Sequence, residues 1–123
     1  MTRKSKVETL NNLLEDLGVT DQDIEAAVVS VDGFVIASAF PHEAAKERVA
    51  VMSAAMHSLG ETAVRELTRG TLSEVYVRGE NGYIVVMSSG KNAVLTTIAK
   101  KEAELKSVFS DMRRTAAEVA KLV

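Results

Sequence analysis

The sequence predicts an α+β domain of order α-ββ-α-βββ-α, with one long helix on one face of a sheet and two helices on the other. Three observations carry this. Residues 26–39, AAVVSVDGFVIASA, are two apolar runs folded about Asp32-Gly33, and Asp-Gly between β-favouring segments signals a tight hairpin turn. Residues 43–69 hold one helical period without a break. After them come three more strand-like runs and a final amphipathic stretch. At 123 residues, 46% hydrophobic and 26% charged, the chain fits one domain, 1–123, with a core of its own.

Taken in order, Ser5-Lys6-Val7-Glu8 fits a capping box. Val7, Leu10, Leu14 and Leu17, with Leu13 beside them, then form one apolar stripe on a short helix that Gly18 should end. Residues 19–25 are a polar connection into the hairpin. A two-residue type I′ turn at Asp32-Gly33 would set Val31 opposite Phe34, Val29 opposite Ile36 and Ala27 opposite Ser38. Neither face of that hairpin carries a charge, so both should be buried inside a sheet.

The middle helix, residues 43–69, has a main stripe of Ala45, Val49, Met52, Met56, Leu59, Ala63 and Leu67, the face expected on the sheet. A second line of mostly small residues, Ala44, Arg48, Val51, Ala55, Ser58 and Thr62, lies roughly 110° away. It reads either as a solvated shoulder or as a packing seam. Gly60 in the helix interior suggests close backbone approach, or simple tolerance. Residues 71–78 alternate, as an edge strand does, with Ser73, Val75 and Val77 opposed to Glu74, Tyr76 and Arg78. Residues 83–87 are a continuous apolar run and 93–99 the last strand, with turns at 79–82 and 88–92. Residues 101–122 form the closing helix, lined inside by Leu105, Val108, Met112, Ala116 and Val119.

Composition narrows the function. A net charge of −2 and a pI near 5.7 argue against nucleic acid as a partner. There is no cysteine, no secretory leader pattern and no run of the roughly 20 apolar residues a membrane span needs, so a cytoplasmic protein is expected. His42-Glu43-Ala44-Ala45-Lys46 starts like a zinc motif but has Lys46 where the second histidine belongs. The 85–92 stretch lacks the first glycine and the Ser/Thr of a phosphate-binding loop, and the GxxG of 79–82 sits between strands with a glutamate in it. His57, away from the main stripe, reads as a surface or interface residue. No catalytic set, metal site or cofactor is expected.

In this arrangement the chain resembles the roadblock family, named after the dynein light chain roadblock and shared with prokaryotic regulators of Ras-like GTPases. The resemblance rests on VDGFVIAS (31–38), the alanine-rich middle helix with LGETA (59–63), LSEVYVRGENGYIVV (72–86), and AVLTTIA leading into the last helix. It implies a five-stranded antiparallel sheet in the order 2-1-5-4-3, a homodimer joined through the third strand and the middle helices, and no enzymatic activity of its own. The expected dimer seam is Val51, Ala55, Ser58 and Thr62 with Glu74, Val75 and Tyr76; the Ala50/Ala54/His57 side of the helix is the alternative. The expected partner surface is the start of the middle helix: Phe40, His42, Glu43, Lys46 and Arg48. The function implied is binding a small Ras-like GTPase and modulating its nucleotide cycle. A scaffold with no effect on turnover, and a small-molecule sensor or enzyme on the same sheet, are the other readings.

Overall fold

The computed structural model describes residues 5–20, 24–40 and 43–123. The elements are α1 (Lys6–Thr20), β1 (Ile24–Ser30), β2 (Val35–Ser38), α2 (Glu43–Glu66), β3 (Glu74–Gly79), β4 (Gly82–Ser89), β5 (Ala93–Lys100) and α3 (Leu105–Ala120). The five strands form one antiparallel sheet in the order β2-β1-β5-β4-β3. Helices α1 and α3 cover one face and α2 crosses all five strands on the other.

Leu10, Leu14 and Leu17 of α1 and Val108, Met112, Ala116 and Val119 of α3 are buried against Ala26, Val28, Val85, Met87 and Leu95. Buried polar groups in this layer are paired: the Tyr83 hydroxyl donates to Ala103 O at 2.8 Å, Ser89 Oγ to Ala116 O at 2.7 Å and Thr97 Oγ1 to Met112 Sδ at 3.1 Å. Ser5 Oγ accepts from the Glu8 amide at 3.1 Å, the expected helix cap. Gly18 does not end α1, which runs on to Thr20. Lys101–Glu104 are not helical: the Ala103 amide bonds Lys100 O, Ala103 is buried, and α3 begins only at Leu105.

The hairpin turn differs from the type I′ expectation. Only Gly33 has positive φ, at 93°. The Gly33 amide donates to Ser30 O, the Ser30 amide to Phe34 O, and the Phe34 amide to Ser30 Oγ. This is a three-residue loop, a turn followed by a left-handed glycine. The register slips by one between Val28 and Val29, so Val29 faces Val35 while Ala27 still faces Ser38. Ile36 is the extra residue, and the bulge sends Val35 to the α2 side and Ile36 to the α1/α3 side. Strand β1 is buried on both faces, but β2 forms an edge of the sheet and is half-buried.

Helix α2 ends at Glu66, earlier than its periodicity suggests. The Thr68 amide bonds Arg65 O and the Arg69 amide bonds Val64 O, with Thr68 at φ 55°. That is a Schellman stop with threonine where glycine is usual. The edge strand starts at Glu74 rather than at residue 71.

Candidate functional site

The orientation of α2 decides what this molecule offers to a partner. Among its described side chains the buried ones are Val49, Ala50, Ser53 and His57. Gly60 continues the line: a Cβ there would come within 2.5 Å of Val75 Cγ2 and 3.1 Å of Leu72. Close approach to the edge strand is therefore why position 60 is glycine. Ser53 and Thr96 share a hydrogen bond of 2.8 Å, both fully buried.

The main stripe therefore does not face the sheet. By helical geometry its centre is about 80° away from the line through Ser53. Val49 and Met56 on its inner edge are packed, whereas Met52, Leu59, Ala63 and Leu67 lie in solvent, Leu59 at 72% exposure. Val51, Ala55, Ser58 and Thr62 are exposed as well. The alternative Ala50/Ala54/His57 side packs inward, with Ala50 and His57 buried and Ala54 half-buried, so it is no free surface.

His57, expected at the surface or at an interface, is 7% exposed and packs within its own chain. Its Nε2 lies 3.2 Å from Ser88 Oγ and its Nδ1 3.4 Å from Glu61 Oε1. Ser88 Oγ in turn donates to Leu72 O at 3.4 Å, and the Ser88 amide to Ser73 O at 3.2 Å. The order serine–histidine–glutamate is that of a nucleophile relay, and the sequence alone did not bring these three together. The contacts made are those of a clamp holding the Leu72-Ser73 lead of β3 against α2 and β4.

Strand β3 is the second edge of the sheet and, among the described residues, pairs only with β4. Val75 faces α2, Glu74 and Tyr76 face α3, and Val77 is 51% exposed. The register lines up Val77, Ile84 and Ile98 in a cross-strand row on the α2 side. Both isoleucines are only half-buried. Met52 and Leu59 are exposed on α2, which packs on the same face of the sheet, so helix, sheet floor and open strand edge all present apolar side chains there. Such a patch, next to unpaired strand backbone, is the signature of an interaction site.

A second concavity of about 930 Å³ lies between α1, the β2 edge and the start of α2. Phe40 and Lys46 line it, both half-buried, together with Phe34, Val51 and Val7. Phe40 also packs into the cluster under α2. Arg48 is exposed, His42 lies outside the described residues, and Glu43 opens α2 with its side chain outside them. Phe34, at 71% exposure, is the residue a reading of two buried hairpin faces misses. Its place directly after the turn glycine is the signal that could have found it.

Among the described residues no cluster of His, Asp and Glu could hold a metal, and no helix is long and apolar enough to cross a membrane. The surface ion pairs, Arg113–Glu74, Arg114–Asp111 and Lys121–Glu118, each involve exposed cations and contribute little to stability.

Residues 9–99 match the Roadblock/LC7 domain. An uncharacterised protein of Methanocaldococcus jannaschii is 27% identical over 110 residues, which is 89% of this chain and 96% of that one. Among solved structures, MglB in a tetrameric arrangement aligns with TM-score 0.88 and 20% identity over 99% of this chain and 93% of that one. Gliding protein MglB from Thermus thermophilus aligns with TM-score 0.87 and 19% identity over the same shares. At these identities the structural likeness shows a common fold. The domain match spans the hairpin, the middle helix and the last three strands, and the chain belongs to the Roadblock/LC7 family.

Proposed function

We propose that this protein is a cytoplasmic, homodimeric regulator that binds a small Ras-like GTPase and modulates its nucleotide cycle. The observation that carries the dimer is the set of exposed apolar side chains on α2 and β3, Met52, Leu59 and Val77, beside the open edge of β3. Two copies join at the open edge of β3 about a two-fold axis, bringing the outer faces of α2 together. Val51, Ala55, Ser58 and Thr62 of α2 and Glu74, Val75 and Tyr76 of β3 form the joint, and Met52, Leu59 and Val77 extend it. A stable joint of this kind removes roughly 1,200–2,000 Å² from water.

The GTPase follows from what family resemblance implies. Its docking surface is the groove at the start of α2, with Phe40 and Lys46 in the wall and Arg48 exposed on the same helix. His42 and Glu43 belong to the same proposed surface by their place in the sequence. An aromatic residue with charges of both signs suits a transient contact. The test is to titrate the protein with a candidate GTPase in both nucleotide states, then measure hydrolysis and exchange rates with and without it. Binding that Phe40→Ala and Lys46→Glu weaken, with a changed rate, supports the proposal. Binding with unchanged rates selects a scaffold instead. Unchanged affinity in both variants removes this groove as the surface.

A further inference from the structure

On the other side of β3 lies a second trough, which the dimer described above would double. The chain of contacts there is ordered. Tyr76 meets the Phe109 ring edge-on at 5.9 Å between centroids. Arg113 lies 5.8 Å over the same Phe109 ring and 3.8 Å from Glu74. Residues 76 and 74 on the strand thus match 109 and 113 on the helix, so α3 runs antiparallel to β3 at the same rise. Extrapolated one step, Arg78 stands beside the turn that carries Lys106.

The flank of α3 turned to β3 therefore carries Lys106, Phe109 and Arg113, and no acid. The acid on the strand, Glu74, is half-buried against Arg113. Arg78, Lys106 and Arg113 are exposed, and Tyr76 keeps 47% of its surface open. Beyond Arg113 the trough opens into a cavity of about 380 Å³ between the Leu72-Ser73 segment and Ala116, Ala117 and Ala120. It is an aromatic floor with a basic wall.

We infer that this trough, doubled across the two-fold axis, is a docking groove for an acidic amphipathic helix of a partner protein. The inference rests on the edge-to-edge dimer proposed above. Charge complementarity selects the sign of the partner: three exposed cations per copy face the groove against one acid already engaged. Width selects its form. Helix α3 packs over β4 and β5, and with strands about 4.8 Å apart the two copies of α3 stand roughly 15–19 Å apart across the joined β3 edges. A helix needs about 8–10 Å to each neighbour. One helix fits there. Its apolar side would rest on Tyr76 and Phe109 and its carboxylates would meet the arginines.

The test uses the full-length protein and two fluorescein-labelled 15-residue helical peptides. One has leucines on one face and glutamates on the other; its counterpart has every glutamate replaced by lysine. Fluorescence polarisation should show the acidic peptide binding at one per dimer, at least tenfold more tightly than the basic one. Arg113→Glu with Arg78→Glu should weaken it at least tenfold and leave the dimer intact, and Phe109→Ala should weaken it at unchanged charge. Equal affinity for both peptides, or no effect of the charge reversal, overturns the groove. Binding to phosphatidylserine vesicles without binding to the acidic peptide overturns it in favour of a membrane surface. Sedimentation separates the two levels: a dimer that ignores the acidic peptide refutes the groove alone, and a monomer refutes the dimer and the groove with it.

Discussion

Beneath α1 and α3 the sheet meets leucine, valine and methionine, and Leu10, Leu14, Leu95, Met112 and Val119 are removed from solvent almost completely. Beneath α2 it meets Ser53, His57 and Gly60, while Met52 and Leu59 of that same helix point away. One face holds a finished core. The other holds a thin layer of Ala27, Val29, Ala50, Val86 and Val94, bridged by the Ser53–Thr96 and His57–Ser88 contacts. A helix more apolar outside than inside is the feature on which the dimer proposed above rests, with a second copy covering the outer side.

The largest expected effect lies on the finished face. Leu14→Ala, at a site with no exposed surface, should cost about 2–5 kcal/mol, the range for a large-to-small change in a packed core. Denaturant unfolding monitored by circular dichroism measures it. A loss under about 1 kcal/mol would mean that this face can collapse around the gap and is less complete than its burial suggests.

Gly60→Ala sharpens the contrast from the thin side. Alanine adds helix propensity of about 1 kcal/mol, but its Cβ would press on Val75 and Leu72. The displacement should dominate, with a net loss of about 1–2 kcal/mol. It should also loosen self-association, because β3 is the element displaced. A stabilised variant would show that the close approach at position 60 is dispensable.

The finished face was legible in the sequence because leucines at spacings of three and four have only one physical reading. Val108, Met112, Ala116 and Val119 likewise take the inner positions their period assigns. The thin face misled for the opposite reason. A hydrophobic count along α2 finds the more apolar side, which is the bare one, and passes over Ser53, His57 and Gly60. Those three recur at spacings of four and three, and Gly60 among them was the signal of inward approach. The hairpin register was half legible. Asp32-Gly33 marks the turn, but whether the loop holds two or three residues depends on Ser30 Oγ taking the Phe34 amide. A one-residue difference then exchanges Val35 and Ile36 between faces. The groove of Phe34, Phe40 and Lys46 joins residues from a turn, a loop and a helix, and no periodicity connects them.

The smallest effect on the fold of a single chain, and the most direct test of the account, comes from the bare side of α2. Ala55→Glu and Leu59→Glu replace exposed residues, so each should change the stability of the isolated chain by no more than about 0.5 kcal/mol. In a two-fold joint the same substitution sets two carboxylates in one poorly hydrated seam. Sedimentation velocity at micromolar concentration should show the unaltered protein at twice the 13.2 kDa chain mass and both variants at the single mass, with unchanged circular dichroism. An unaltered protein that sediments as a monomer, or variants that remain dimeric, would contradict the claim that a second copy completes the α2 face.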